Sequence, residues 1–143
     1  MILRIRTLGD PVLREPARPV TDFGPSLRSL FDDGETGPMF MANPELADGV
    51  GELLEDEGCL SIPGPYHATP RFARILCRGQ DLGGKPSEMV GEGLLARIFQ
   101  HETDHLDGML YIDRLDDVGR RDVMAQLRRI EMGLAEPRTA PDE

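Results

Sequence analysis

The stretch Gln100-His101-Glu102-Thr103-Asp104-His105 constrains this chain more than any other. On a helix, residues four apart lie on one face, one turn apart, so the rings of His101 and His105 can reach the same metal ion. Glu102 stands beside His101 and can approach a water on that ion without ligating it, taking a proton and later returning it. The alternative is a pair of surface histidines with an incidental glutamate, an unusual coincidence in a chain with three histidines. A catalytic ion of this kind takes three protein ligands and keeps one position open. The fold must therefore make a helix here and bring a further ligand to it.

Three residues compete for that place. In the extended pattern H-E-x-x-H-x-x-G-x-x-H the glycine is present as Gly108, but the last position is Tyr111. Glu131 falls in the last turn of a later helix, with nothing else to support it. Cys59 lies in Glu57-Gly58-Cys59-Leu60-Ser61-Ile62-Pro63-Gly64, between a glycine and a tight Pro-Gly turn, on backbone suited to hold a thiolate. The second cysteine, Cys77, reads as a buried, inert thiol. His67, after Pro65-Tyr66, reads as a surface residue and not a fourth ligand.

Composition narrows the class. A chain of 143 residues supports one domain with a real core. Its 12 prolines and 16 glycines favour turns and short strands over a helical bundle. The net charge of -10 argues against a nucleic-acid surface, and it favours solubility. No apolar run approaches the ~20 residues that span a bilayer, so no membrane partner is expected. The opening Met1-Ile2-Leu3-Arg4-Ile5-Arg6 lacks a signal peptide's apolar core. A cytoplasmic location is expected, where Cys59 and Cys77 stay reduced and Cys59 is free to bind metal.

Along the chain, Leu8 to Arg14 reads as a turn and extended lead-in, kept non-helical by Pro16 and Pro19. Residues 25–33 spell a short helix on Leu27, Leu30 and Phe31, and residues 39–42 a short buried strand closed by Asn43-Pro44. Residues 49–56 and 59–62 read as extended pieces broken by Gly58 and Pro63-Gly64. Residues 72–80 alternate cleanly, with Ala73, Ile75 and Cys77 on the core face; a turn at 81–85 leads into a strand at 87–90. A helix from Gly93 to about Leu106 carries Leu94, Leu95, Ile98, Phe99 and Leu106 and stops at Gly108. A second, over 118–132, is capped by Asp116 or Asp117 and buries Val123, Leu127, Ile130 and Leu134. The basic positions Arg120, Arg121, Arg128 and Arg129 on it read as a solvated face. The expected fold is α+β: short antiparallel strands packed around a central metal-binding helix, plus a C-terminal helix.

Taken together, Gly58-Cys59-Leu60-Ser61 and Gln100-His101-Glu102-Thr103-Asp104-His105-Leu106-Asp107-Gly108 closely resemble the second and third signature motifs of the peptide deformylases. Gly9-Asp10-Pro11-Val12-Leu13-Arg14, Asn43-Pro44-Glu45, Arg71, Gly84-Lys85-Pro86 and Glu92-Gly93-Leu94-Leu95-Ala96 also follow the family pattern. Residues 135–143, with Pro137 and Pro141, read as a flexible tail, and the resemblance implies a single deformylase-like domain over 1–134. It implies a hydrolase that takes the formyl group from the N-terminal methionine of new proteins. Cys59, His101 and His105 would bind one divalent ion, with Fe(II) foremost and Zn(II) or Ni(II) as substitutes. Glu102 would act as general acid/base and the backbone N–H of Leu60 would help hold the oxyanion. The expected partners are formyl-methionyl nascent peptides near the ribosome.

The family's first signature, G-x-G-L-A-A-x-Q, is missing. Between Asp33 and Met39 the chain has only Gly34-Glu35-Thr36-Gly37-Pro38, and no glutamine here matches the lost one. In the family that glutamine donates to the oxyanion, and losing one such donor costs ~10²–10³ in rate. The segment also lines the substrate groove, so binding should weaken. Apolar surface left uncovered could be buried in a homodimer. Three readings follow: an active, impaired deformylase; a metal-binding relative without turnover; and a zincin-type peptidase, against which Tyr111 counts.

Overall fold

The computed structural model describes residues 3–27 and 40–138. A 3₁₀ turn, η1 (Pro11–Arg14), opens the chain; then come β1 (Ala42–Cys59), β2 (Ile62–Gln80), β3 (Pro86–Glu92), helix α1 (Leu94–Leu106), a second 3₁₀ turn, η2 (Tyr111–Arg114), and helix α2 (Asp117–Glu131). The three strands form one sheet in the order β1-β2-β3. β2 and β3 are antiparallel, with Ile75 opposite Gly91 and Cys77 opposite Met89. The class is α+β, as the sequence implies.

Several local expectations are corrected. The lead-in is not extended throughout: Pro11 starts η1, with the Asp10 side chain accepting from the Val12 N–H, because proline's fixed φ suits a first helical position. Asn43-Pro44 does not close a strand; β1 begins at Ala42 and continues to Cys59. It passes Asn43 and Asp48 at positive φ. Asn43 tolerates this because its side chain accepts from the Val20 N–H and donates to Val20 O and Gln80 Oε1. Gly58 and Pro63-Gly64 lie inside the long strands and break neither of them. The expected helix over 25–33 is seen only at residues 25–27, and Met39 and the remaining helix positions lie outside the described residues.

The chain divides into two compact units. The first comprises Met1–Pro16, Glu52–Arg71 and Asp104–Glu143, the second Ala17–Gly51 and Phe72–Thr103. In the first, Ile62, Leu110, Tyr111, Ile112, Leu115 and Val123 form the core, with Leu8, Leu13, Cys59 and Met124 against it. Asp116 caps α2 by accepting from Gly119 N–H, and Gln126 ties α2 to β2 by bonding both backbone groups of Tyr66. Val123 is fully buried, whereas Leu134 is 60% exposed because the chain turns away at Gly133 in the left-handed region. The tail past α2 is held as far as Arg138, which pairs with Asp56 and stacks on the Tyr66 ring. In the second unit Ile75 and Cys77 are buried, as the alternation of 72–80 requires, together with Ala42 and Ala96.

The apolar spacing of α1 is only partly turned inward, with Leu95 and Phe99 half-buried. Leu94, Ile98 and Leu106 are exposed, and the residues turned inward are Ala96, Gln100 and Asp104, spaced four apart. A polar inward face is stable only where every group on it finds a partner, and these do.

Candidate metal centre

Cys59 is the last residue of β1, and Leu60-Ser61 is the two-residue turn into β2. The Leu8 N–H donates to Ser61 O at 2.8 Å and fastens that turn. The preceding residue must be glycine, because a Cβ at Gly58 would stand 2.6 Å from the Tyr66 ring. These contacts fix the thiol. Its Sγ lies 3.4 Å from His105 Nε2. His101 is one turn earlier on the continuous helix α1, and the ligand atoms of Cys59, His101 and His105 all lie within 4.8 Å of one another.

All three side chains are half-buried, while Glu102 is exposed and the Leu60 side chain is 76% exposed. A thiolate and two imidazoles at this spacing form a soft, three-ligand set that leaves one position open, which fits a catalytic divalent ion. Among the described residues it is the one such group of histidine, cysteine and carboxylate side chains. The other positions the sequence offered lie outside this group. Tyr111 is 1% exposed in the core, and burial pushes its phenol above the ordinary range. Glu131 is exposed on α2 and is not in the group, and neither is His67, whose Nε2 lies 3.7 Å from Asp122.

Behind the ligands lies a buried charge network. Arg71, on β2, makes a fork to Glu57 through Nε at 3.1 Å and Nη2 at 2.6 Å, and its Nη1 reaches Asp104 Oδ2 at 2.6 Å. Arg114 makes a second fork to Asp104. Two guanidiniums face two buried carboxylates, Arg71 from within and Arg114, 43% exposed, from the rim, so both carboxylates are paired. Burial alone would push the Asp104 carboxyl up, but hydrogen bonds from Arg114 and Arg71 outweigh it and hold it below its ordinary value. Burial likewise works against the Arg71 charge, and Glu57 and Asp104 more than reverse it.

Glu57 is two residues from Cys59, and Asp104 is next to His105, so the network braces the strand and the helix turn that carry two of the candidate ligands. Sequence reasoning missed Glu57, Asp104 and Arg114. The available signal was an arginine inside a strand otherwise running toward the core, since a buried arginine requires buried acids.

The polypeptide deformylase family model matches residues 31–121 of this chain. The chain belongs to that family. The peptide deformylase of Parafrankia sp. (strain EAN1pec) is 40% identical over 157 aligned residues, covering 89% of this chain and 86% of its own length. That of Acidothermus cellulolyticus is 41% identical over 155, with the same coverage. Among solved structures, a peptide deformylase from Legionella pneumophila superposes with a TM-score of 0.83 at 31% identity, covering 95% of this chain and 99% of that one. The Thermus thermophilus peptide deformylase gives 0.78 at 34% identity, covering 93% and 99%. Both sequence alignments are longer than the 143-residue chain, so these deformylases carry residues with no counterpart here.

Proposed function

We propose that this chain removes the formyl group from the N-terminal formyl-methionine of newly made proteins in the cytoplasm, using one divalent ion held by Cys59, His101 and His105. The observation that carries the reading is the convergence of those three ligand atoms, with Glu102 exposed beside one of them. Fe(II) is the ion proposed on the family resemblance; the donor set also suits Zn(II) and Ni(II). When bound, such an ion polarises the formyl carbonyl and makes water acidic near neutral pH.

The remaining steps belong to the chain. Glu102 takes a proton from the attacking water at its carboxylate and returns it to the departing amine nitrogen. The backbone N–H of Leu60, next after Cys59, donates to the oxygen that gains charge as the formyl carbon becomes tetrahedral. The substrate is the formyl-methionyl end of a peptide leaving the ribosome, and the net charge of -10 favours a peptide over nucleic acid.

A second reading, a metal-binding relative without turnover, is favoured by one observation: the G-x-G-L-A-A-x-Q segment is absent from the sequence. The two are separated by formate release from a formyl-Met tripeptide, with anaerobically prepared Fe(II) protein beside its Glu102→Ala variant. Turnover that disappears in the variant while metal content stays normal supports the hydrolase. Folded, metal-loaded protein that releases no formate rejects it in favour of the second reading.

A further inference from the structure

The side chain of Gln100 is 7% exposed and sits on the inward face of α1. Its Oε1 accepts from the Phe72 N–H at 2.9 Å, and its Nε2 donates to Phe72 O at 2.9 Å and to Ala96 O at 2.9 Å. One acceptor meets a donor and two amide hydrogens meet two carbonyls, so the amide has a single orientation that satisfies all three partners. The pair of bonds to Phe72 has the pattern of an antiparallel ladder pair, made by a side chain in place of a peptide. It follows the real ladder directly. Arg74 stands opposite Glu92, Gly93 N–H donates to Ala73 O, and the chain then leaves the sheet as α1. The next residue of β2, Phe72, is bonded by the same helix through Gln100.

We propose that Gln100 is a positioning residue of the metal site: its amide extends the sheet ladder by one rung and so fixes the rotation and translation of α1, and with it His101 and His105, on β2. This rests on the reading of Cys59, His101 and His105 as metal ligands. The physical need is clear from the helix itself. Each residue is turned ~100° from the last, so a small slip or roll of α1 swings both rings, and a metal site tolerates only ~0.5 Å of error. Leu94, Ile98 and Leu106 are exposed. Ala96 is buried and Phe99 packs over Gly91, but apolar contact is non-directional, and Gln100 alone on this face adds directed bonds to Phe72. Both ends of the Gln100 amide are taken up by Phe72 and Ala96. Gln100 acts through the helix.

The test uses the full chain and three proteins: wild type, Gln100→Met, which keeps the length and loses all three bonds, and Gln100→Glu, which keeps the acceptor but turns a carboxylate toward two carbonyls. Two quantities are read: Co(II) affinity by chelator competition, with its thiolate charge-transfer band, and amide hydrogen exchange in the metal-free protein. Phe72 N–H exchange should speed up by at least about tenfold in Gln100→Met while Ile75 and Cys77 stay as in wild type. Co(II) affinity should fall ~10–100-fold, the usual effect of losing an outer support of a metal site, and the thiolate band should shift. Gln100→Glu should fall between the two and gives the same readings if the Met variant does not fold. Faster Phe72 exchange with wild-type Co(II) affinity and spectrum would overturn the proposal and leave Gln100 a structural peg. Wild-type protein that binds no Co(II) would overturn the metal reading itself, and this proposal with it; that failure is told apart because it already occurs with Gln100 in place.

Discussion

Arg71 Nη1 and Asp104 Oδ2 lie 2.6 Å apart in the interior, with side chains 2% and 8% exposed. The same guanidinium holds Glu57 in a fork, so one cation serves two buried carboxylates. Arg71→Met leaves Glu57 without its partner and Asp104 with Arg114 alone. The expected cost is ~3–5 kcal/mol, read by urea denaturation of the metal-free protein. Arg71→Lys should recover only part of it, because a point charge cannot make a fork and reach Asp104 as well. An Arg71→Met protein within about 1 kcal/mol of wild type would show that the network does not brace the fold.

The two cysteines should differ in reactivity. Cys59 is half-buried at the candidate metal centre, while Cys77 is 3% exposed and burial pushes its thiol up from 9.0. Iodoacetamide at neutral pH should label Cys59 at least about tenfold faster in the metal-free protein, and Zn(II) should slow that labelling. Peptide mapping by mass spectrometry reads both sites. Equal rates would place Cys77 nearer to solvent than the fold has it.

The raised Cys77 thiol also sets an alkaline limit. The unfolded chain loses this proton first as pH rises, so the contribution to stability is whole below 9.0 and shrinks as pH climbs toward the higher folded value. Denaturation midpoints between pH 8 and pH 10.5 should fall less steeply in Cys77→Ala than in wild type. Parallel curves would refute the linkage.

Glu102→Ala should lower formate release by ~10²–10⁴ with metal content unchanged, as expected of a proton carrier that does not ligate. Cys59→Ser and His105→Ala should lose the metal itself. Atomic absorption on the purified variants separates the two classes. A Glu102→Ala protein that loses its ion would make Glu102 a ligand.

Gln126→Leu removes the amide that bonds both backbone groups of Tyr66. Leaving that pair without partners should cost ~1–3 kcal/mol in urea denaturation, with α2 loosened from β2. No measurable loss would mean that Val123 and its neighbours hold α2 by apolar packing alone.

The sequence by itself determined the pairing of His101 and His105 on one helix, the alternation of residues 72–80 and the α+β class, while Cys59 joined them through the family resemblance. The first three depend on spacing along one element, which a linear reading can count: four residues for two rings on a helix face, two for a strand face. The bounds of β1 and β2 were less legible. Gly58, Pro63 and Asn43 punctuate a chain locally, and whether they break a strand depends on what pairs across from them and on which side chain meets the bent backbone.

Only the tertiary structure decided which face of α1 turns inward. Leu94 and Ile98 have the pattern of a buried stripe, yet Gln100 and Asp104 are the residues inside, because Phe72 and Arg71 on a strand earlier in the chain present the partners that offset the cost of burying them. Polar burial is set by complementary groups from distant parts of the chain. No periodicity within the helix could disclose it.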